Sequence, residues 1–324
     1  MTAEIHFYDL KPEGLSLHEA VVSGFSLEQK TIPPKFFYDA RGSVLFDDIC
    51  RQPEYYLPDV ERAMLSSLAP EIVRHVGQRR VIIEPGAGSA VKVRLLLDAL
   101  SPSAYVPMDI SCGYLKQAAQ ALAGECPRLA VHAVCVDYTH SMPLPDAVPD
   151  GQRLGFFPGS SLGNFEPAEA KAFLGMFSHM LGEDGMLLIG VDTKKAPAIL
   201  DAAYNDAAGV TAAFNLNLLH RMRRELQAEV DPEAFTHHAS YNAQAGRIEM
   251  HLISGVAQQV KVNGYSFRFE AGERLHTESS YKYTPQEFLA LAGESGFRPR
   301  CHWLDRQGLF ALYLLDVDAA HFFK

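Results

Sequence analysis

The sequence predicts an α/β fold: a doubly wound, mainly parallel sheet with a second lobe. Three observations carry this. Five apolar runs of strand length are interleaved with helical stretches between residues 80 and 193. The first run ends in a glycine turn, "EPGAGS", that opens straight into helical periodicity. The chain then closes with a helix and a hairpin, after an insertion too long to be a loop.

"RRVIIEPGAGSAVKVRLLLDAL" gives the first strand, its turn and its helix, following the helical "DVERAMLSSLAPEIVRHV". The strand is apolar throughout, as one buried on both faces should be. "AYVPMDIS" is a second strand, followed by the helical "CGYLKQAAQALAGEC". "AVHAVCVDYT" is a third, and "RLGFFPGSSLGN" a fourth that ends in a turn of small residues. "EPAEAKAFLGMFSHML" is helical and "GMLLIGVDT" is the fifth strand. "TPQEFLALAGESGF" is a helix capped by threonine. "RPRCHWLDRQGLFALYLLDV" then gives two strands around "DRQG". Five β/α units closed by a hairpin resemble the sheet of the Rossmann-like class I methyltransferases.

Two segments fall outside that sheet, so the predicted domains are 61–193 with 284–324, and 1–60 with 194–283. The second lobe is thus formed by the N-terminal segment and an insertion after the fifth strand. The insertion opens on one long helical pattern, "APAILDAAYNDAAGVTAAFNLNLLHRMRREL", and continues with the strand-like "RIEMHLISGVAQQVKV" and "YSFRFEAGERLHTE". The lobe is expected over the C-terminal ends of the strands, where such sheets bind ligands, with Glu278 in the crevice.

The chain has 324 residues, 48% hydrophobic and 21% charged, with net charge −10. These are the proportions of an ordinary globular protein. An acidic chain without clustered Lys and Arg is not built for nucleic acid or anionic membranes. No basic, apolar leader opens the sequence and no run reaches the length of a membrane span. Five cysteines in no CxxC pattern suggest reduced thiols in the cytoplasm. The 13 histidines include His237 and His238, but no HExxH, so no metal is expected.

Gly86 and Gly88 let the chain turn sharply and a ligand approach the backbone. A lone GxG is equally consistent with a bare turn. Asp109 ends the second strand about twenty residues on, where a carboxylate can accept both ribose hydroxyls. Asp137 and Tyr138 end the third strand, placed to meet an adenine amino group and ring. Each aspartate alone could simply cap the next helix; three consecutive strand ends together favour a nucleoside. The third glycine of a dinucleotide fingerprint is missing, and no acid/base suited to hydride transfer stands out. S-adenosylmethionine (SAM) asks only that an attacking lone pair be aligned.

"KFFYDARGSVLFDDICRQPEYYLPDVERAML", "FPGSSLGNF" and "HTESS" make the resemblance specific. Together they resemble the SAM-dependent histidine Nα-methyltransferases of ergothioneine biosynthesis, which form hercynine, over nearly the whole chain. The resemblance implies SAM as methyl donor, no metal, L-histidine as substrate and a cytoplasmic monomer. It implies Tyr38 and Asn164 at the reacting amine, with Tyr38 also touching SAM. It places Tyr55, Gly159, Asn164, Tyr204, Met250, Glu278 and Ser280 on histidine, and Gly86, Lys92, Asp109, Asp137 and Tyr138 on SAM. The sequence departs from the family at Pro85, Ala87 and Ala90, which bears on SAM affinity.

"RLHTESSYKYT" is too polar for a core strand, yet lacks the Gly, Pro and Asn of a plain loop. Glu278 there can accept an imidazole N–H while Ser280 donates to the other ring nitrogen, with Met250 against the ring. An edge-strand ion pair is the plain alternative for Glu278, a core tyrosine for Tyr204, and helix packing for Tyr55. Rival functions are the same chemistry on another amino acid such as tryptophan, a silent binding module, and a dehydrogenase.

Overall fold

The computed structural model describes residues 5–10 and 14–323; residues 1–4 and 11–13 of the N-terminal segment, and residue 324, lie outside it. In chain order the strands are β1 (Ile5–Asp9), β2 (Val81–Pro85), β3 (Ala104–Asp109), β4 (Ala130–Cys135), β5 (Arg153–Phe157), β6 (Met186–Asp192), β7 (Phe235–Asn242), β8 (Arg247–Ser254), β9 (Gln258–Val262), β10 (Tyr265–Phe269), β11 (Arg274–Tyr281), β12 (Phe297–Leu304) and β13 (Phe310–Val317). The helices are α1 (Leu17–Phe25), α2 (Ala40–Ile49), α3 (Leu57–Val76), α4 (Arg94–Leu100), α5 (Cys112–Glu125), α6 (Pro167–Leu181), α7 (Pro197–Ala203), α8 (Val210–Leu226) and α9 (Pro285–Glu294). The chain divides into two compact units. The first takes the described residues up to Gly14, then Leu57–Lys194 and Tyr283 onward; the second takes Leu15–Tyr56 and Lys195–Lys282.

The first unit is a mixed α/β layer around one sheet of order β1-β4-β3-β2-β5-β6-β13-β12. β1 to β6 run parallel and β13 enters antiparallel between β6 and β12. The five strands and the closing hairpin are as predicted, but β4 runs on to β5 without a helix between them, so not every strand carries the expected β/α crossover. β2 and β6 are buried at every position, because helices cover both faces of a parallel sheet. Strand order reverses between β2 and β5, the switch point at which open α/β sheets leave a crevice beyond their C-terminal ends. α6 starts on Pro167 with a Glu166–Glu169 capping box, and α9 on a Thr284–Glu287 box.

The N-terminal segment does not stay outside this sheet. β1 pairs in parallel with β4, Ile5 opposite Val131 through Asp9 opposite Cys135. Its five residues offer neither a sustained apolar run nor a clean alternation, so only the edge left open by β4 makes it a strand. The thiols also differ from expectation. β3 and β4 pair with Asp109 opposite Cys135, and α5 begins three residues after Asp109. Cys112 therefore lands beside Cys135, and the two are disulfide-bonded with a Cα–Cα distance of 5.1 Å. Cys50, Cys126 and Cys301 lie outside this disulfide. Asp9 lies near this pair, but bonded sulfurs offer a metal no thiolate. No described helix is long and apolar enough to cross a membrane.

The second unit packs α1, α2, α7 and α8 with a three-stranded antiparallel sheet, β11-β8-β7, and the β9–β10 ribbon. Phe25, Phe37, Phe214, Leu218, Ile248, Leu252 and Phe269 are among its buried core. The long helical pattern is two helices. α7 ends on Tyr204, and α8 begins after Gly209, which holds a left-handed φ of 73°. Asp206 accepts the Val210 and Thr211 N–H groups at 2.7 and 2.8 Å, satisfying donors that a continuous helix would have satisfied itself. "RLHTESSY" is also a true strand, and a buried one from Thr277 to Tyr281, despite its polarity.

Candidate active site

In the first unit, the sequence-predicted cofactor residues converge at the switch point. β2 delivers the turn, where Gly86, Gly88 and Ala90 all hold left-handed φ, at 68°, 51° and 53°. A Cβ on Gly86 would sit 2.9 Å from the Tyr138 hydroxyl. Glycine is thus required twice there, by backbone angle and by the close approach of Tyr138. Asp109 accepts the Gly88 N–H at 3.1 Å on one oxygen and the Ser111 N–H at 2.9 Å on the other. Each oxygen keeps a lone pair that a ribose hydroxyl could use. Burial raises the Asp109 carboxyl, against those backbone hydrogen bonds. Asp137 is buried and accepts the Thr139 N–H and hydroxyl at 3.2 and 2.5 Å, so it holds the turn carrying Tyr138. Tyr138 packs edge-on to Phe157 and Phe173. Glu84, last but one in β2, accepts from Tyr105 at 2.6 Å and is pushed up to about 8 by burial. These groups fit a nucleoside: a tight turn, a carboxylate and a ring at adjacent strand ends.

Gly86→Ala is expected to weaken S-adenosylhomocysteine binding about tenfold or more, since strain at such a backbone costs about 1–3 kcal/mol before Tyr138 moves. Calorimetry on wild type and variant checks this; equal affinities would remove the turn from the cofactor site.

Beside the turn lies a constellation that sequence reasoning missed in part. Glu61, on α3, has no exposed surface; it pairs with Lys92 at 2.6 Å and accepts the Gly159 N–H at 2.9 Å. One carboxylate thus ties a predicted cofactor residue to a predicted substrate residue. Gly159 holds φ 84°, and a Cβ there would lie 3.0 Å from Lys92 Nζ. The signal for Glu61 was its spacing: Leu57, Glu61, Met64 and Leu65 form one buried helical stripe. The rest of "PGSSLGN" is locked in turn. Ser160 Oγ accepts the Asp192 N–H at 2.9 Å, and a short 3-10 turn, Ser161–Asn164, leaves Asn164 half-buried at its end.

In the second unit a pocket is lined by Tyr55, Tyr204, Met250 and Glu278, all predicted. Phe46, Ile49, Ala203, Thr211 and Phe214 line it too and were not predicted. Two of these pairs, Phe46 with Ile49 and Thr211 with Phe214, share the i, i+3 spacing of one helix face.

Glu278 reaches this cavity through a strand irregularity. The β11–β8 register shifts between His276 and Glu278, a bulge that sets Glu278 opposite Met250. Thr277 donates to the Met250 carbonyl at 3.1 Å and fixes it. Glu278 is 7% exposed and its carboxyl is raised to about 7, by burial against the lowering influence of Lys282. Two residues on along the same face, Ser280 lies 2.8 Å from the Tyr204 hydroxyl. Tyr204 sits at the α7–α8 break rather than within a helix, its carbonyl 2.9 Å from His237 Nε2. Tyr55 meets the Tyr204 ring edge-on at 5.9 Å, and burial lifts its hydroxyl well above the usual range. Tyr38 is half-buried outside the cavity lining, edge-on to Phe46 and Phe214 at 5.6 Å each.

The family model described as "Histidine-specific methyltransferase, SAM-dependent" matches residues 17–317. The chain belongs to this family.

The chain is 40% identical over 306 residues to the histidine N-alpha-methyltransferase of Mycolicibacterium smegmatis, covering 92% of this chain and 94% of that one. It is 29% identical over 286 residues to ergothioneine biosynthesis protein 1 of Neurospora crassa, covering 85% of this chain and 32% of that longer protein. Against the 4-dimethylallyltryptophan N-methyltransferase of Epichloe festucae var. lolii identity falls to 24% over 331 residues, covering 94% and 95%. The histidine methyltransferase family therefore fits this chain far better than the tryptophan-directed branch.

Proposed function

We propose that this protein methylates the α-amine of L-histidine three times, taking each methyl from SAM, to give hercynine for ergothioneine biosynthesis. It does so as a cytoplasmic monomer that needs no metal. The observation that carries this reading is Glu278, buried in a pocket lined by Tyr55, Tyr204 and Met250, opposite Met250 and next but one to Ser280.

In this reading an ionised Glu278 accepts the imidazole N–H, Ser280 serves the other ring nitrogen, and Met250 bounds the ring. A charge-assisted hydrogen bond out of water is worth about 1.5–3 kcal/mol, one to two decades of preference for an imidazole over an indole. Asn164 holds the substrate's carboxylate and amine end, while Tyr204, its hydroxyl committed to Ser280 and Lys282, packs against Tyr55. Tyr38 orients the amine's lone pair. Gly86, Asp109, Asp137 and Tyr138 hold the nucleoside, while Lys92 and Gly159 are kept in register by Glu61. SAM, when bound, supplies an electrophilic methyl carbon for in-line displacement. The α-ammonium must lose a proton before each transfer, and a neighbouring positive charge favours that loss. The mono- and dimethyl amines regain a lone pair on deprotonation; the quaternary product has none, so the series stops there.

The test is an amino-acid panel incubated with SAM and read by mass. Histidine is expected to gain three methyl groups and tryptophan none. Turnover of tryptophan alone would overturn the substrate assignment.

A further inference from the structure

We propose that Lys282 is a positioning residue: the Lys282 ammonium and the Tyr204 hydroxyl converge on Ser280 Oγ and leave the serine only able to donate, so that the site selects a ring with one N–H and one bare nitrogen. The inference rests on the histidine reading and refines it. Glu278, Ser280 and Lys282 alternate along one face at the end of β11, and Lys282 is 1% exposed. Its Nζ lies 3.0 Å from Tyr204 Oη and 3.0 Å from Ser280 Oγ, and 5.0 Å above the Tyr204 ring centroid.

The Tyr204-to-Ser280 direction of the bond between the two hydroxyls sets the polarity. An ammonium has donors and no acceptor, so both hydroxyl oxygens accept from it. Tyr204 has one hydroxyl hydrogen and directs it to Ser280 Oγ at 2.8 Å. Ser280 Oγ then accepts twice, and its own hydrogen is left for a ligand. Glu278, two residues earlier on the same face, accepts when ionised, and Lys282 favours that ionised form. A fixed donor beside a fixed acceptor matches the neutral imidazole. Imidazolium would set a second N–H against Ser280, and a pyrrole or indole would leave its hydrogen unmet. A buried ammonium is costly when its only role is to fill space. A methionine would fill the same space, so the charge itself needs a purpose, and orienting two hydroxyls supplies one.

Two measurements test this. Histidine labelled with nitrogen-15 in the ring is bound to the wild-type protein with S-adenosylhomocysteine, and its ring shifts are read by NMR. One N–H nitrogen and one bare nitrogen are expected; two N–H nitrogens would overturn the proposal without need of any variant. Lys282→Met is then compared with wild type on histidine and on 3-(pyrrol-2-yl)alanine, whose ring has an N–H but no bare nitrogen. The histidine-to-pyrrole ratio of kcat/KM should fall about tenfold, mainly through the KM for histidine, with the KM for SAM unchanged. An unchanged ratio would make Lys282 merely structural. Failure of the wild-type protein to methylate histidine at all would instead overturn the parent reading, and is seen before any variant is made.

Discussion

Glu278→Ala raises the KM for histidine about 10- to 100-fold and leaves the KM for SAM near its wild-type value. The range follows from removing one charge-assisted hydrogen bond of about 1.5–3 kcal/mol at a carboxylate that is 7% exposed. Steady-state kinetics with each substrate varied in turn checks it, and equal effects on both constants would contradict it. The carboxyl's position near 7 adds a pH signature. Burial raises it in the folded protein above its unfolded value, so the folded state holds the extra proton between the two. Stability from this group is therefore present at low pH and is lost as pH rises toward and through about 7. Histidine binding has the opposite slope: it needs the ionised form and weakens as pH falls through about 7. Glu278→Gln should accordingly melt higher than wild type at pH 8, gain little at pH 5, and lose the enzyme's part of the binding pH dependence. A residue whose removal stabilises the fold while weakening the substrate marks a functional site.

Glu61→Ala is the second large effect, and it falls on the fold first. Removing the carboxylate leaves the Gly159 N–H without its acceptor and Lys92 without its ion partner, at a site with no exposed surface on the glutamate. Lys92 keeps 26% of its side chain exposed and can turn to water, so the cost falls below that of a fully buried pair, at about 2–3 kcal/mol, a fall of roughly 5–10 °C in melting temperature for a unit of this size. Calorimetric melting tests it. Glu61→Gln, which keeps an acceptor for Gly159, should lose less. Gly190 supports the same point: a Cβ there would come within 2.1 Å of Glu61 Oε1, so the glutamate occupies space that only glycine leaves open. Melting of Glu61→Ala within a degree or so of wild type would show that the pair contributes nothing to the fold.

The sheet was legible because strands buried on both faces must be apolar along most of their length, as β2, β3 and β6 are up to the carboxylates near their C-terminal ends. The glycine turn was legible because few residues tolerate its backbone angles. β1 was not, since five mixed residues become a strand only when β4 offers an open edge. β11 misled for a more instructive reason. Hydropathy counts each polar side chain as if it sought water, whereas Ser280, Lys282 and Tyr204 satisfy one another out of it. The same blindness hid Lys282, although its alternation with Glu278 and Ser280 was in the sequence. Tyr204 was placed on a continuous helix because apolar periodicity runs across the break. The "NDAAG" that follows it carries the carboxylate cap and the left-handed glycine that stop one helix and start the next.

A crystal structure with L-histidine and S-adenosylhomocysteine tests the assignment of Glu278 most directly. A Glu278 oxygen within about 3 Å of one imidazole nitrogen, and Ser280 Oγ within the same reach of the other, is the predicted result. An imidazole lying elsewhere, with the Glu278 carboxylate turned to bulk water, would contradict it.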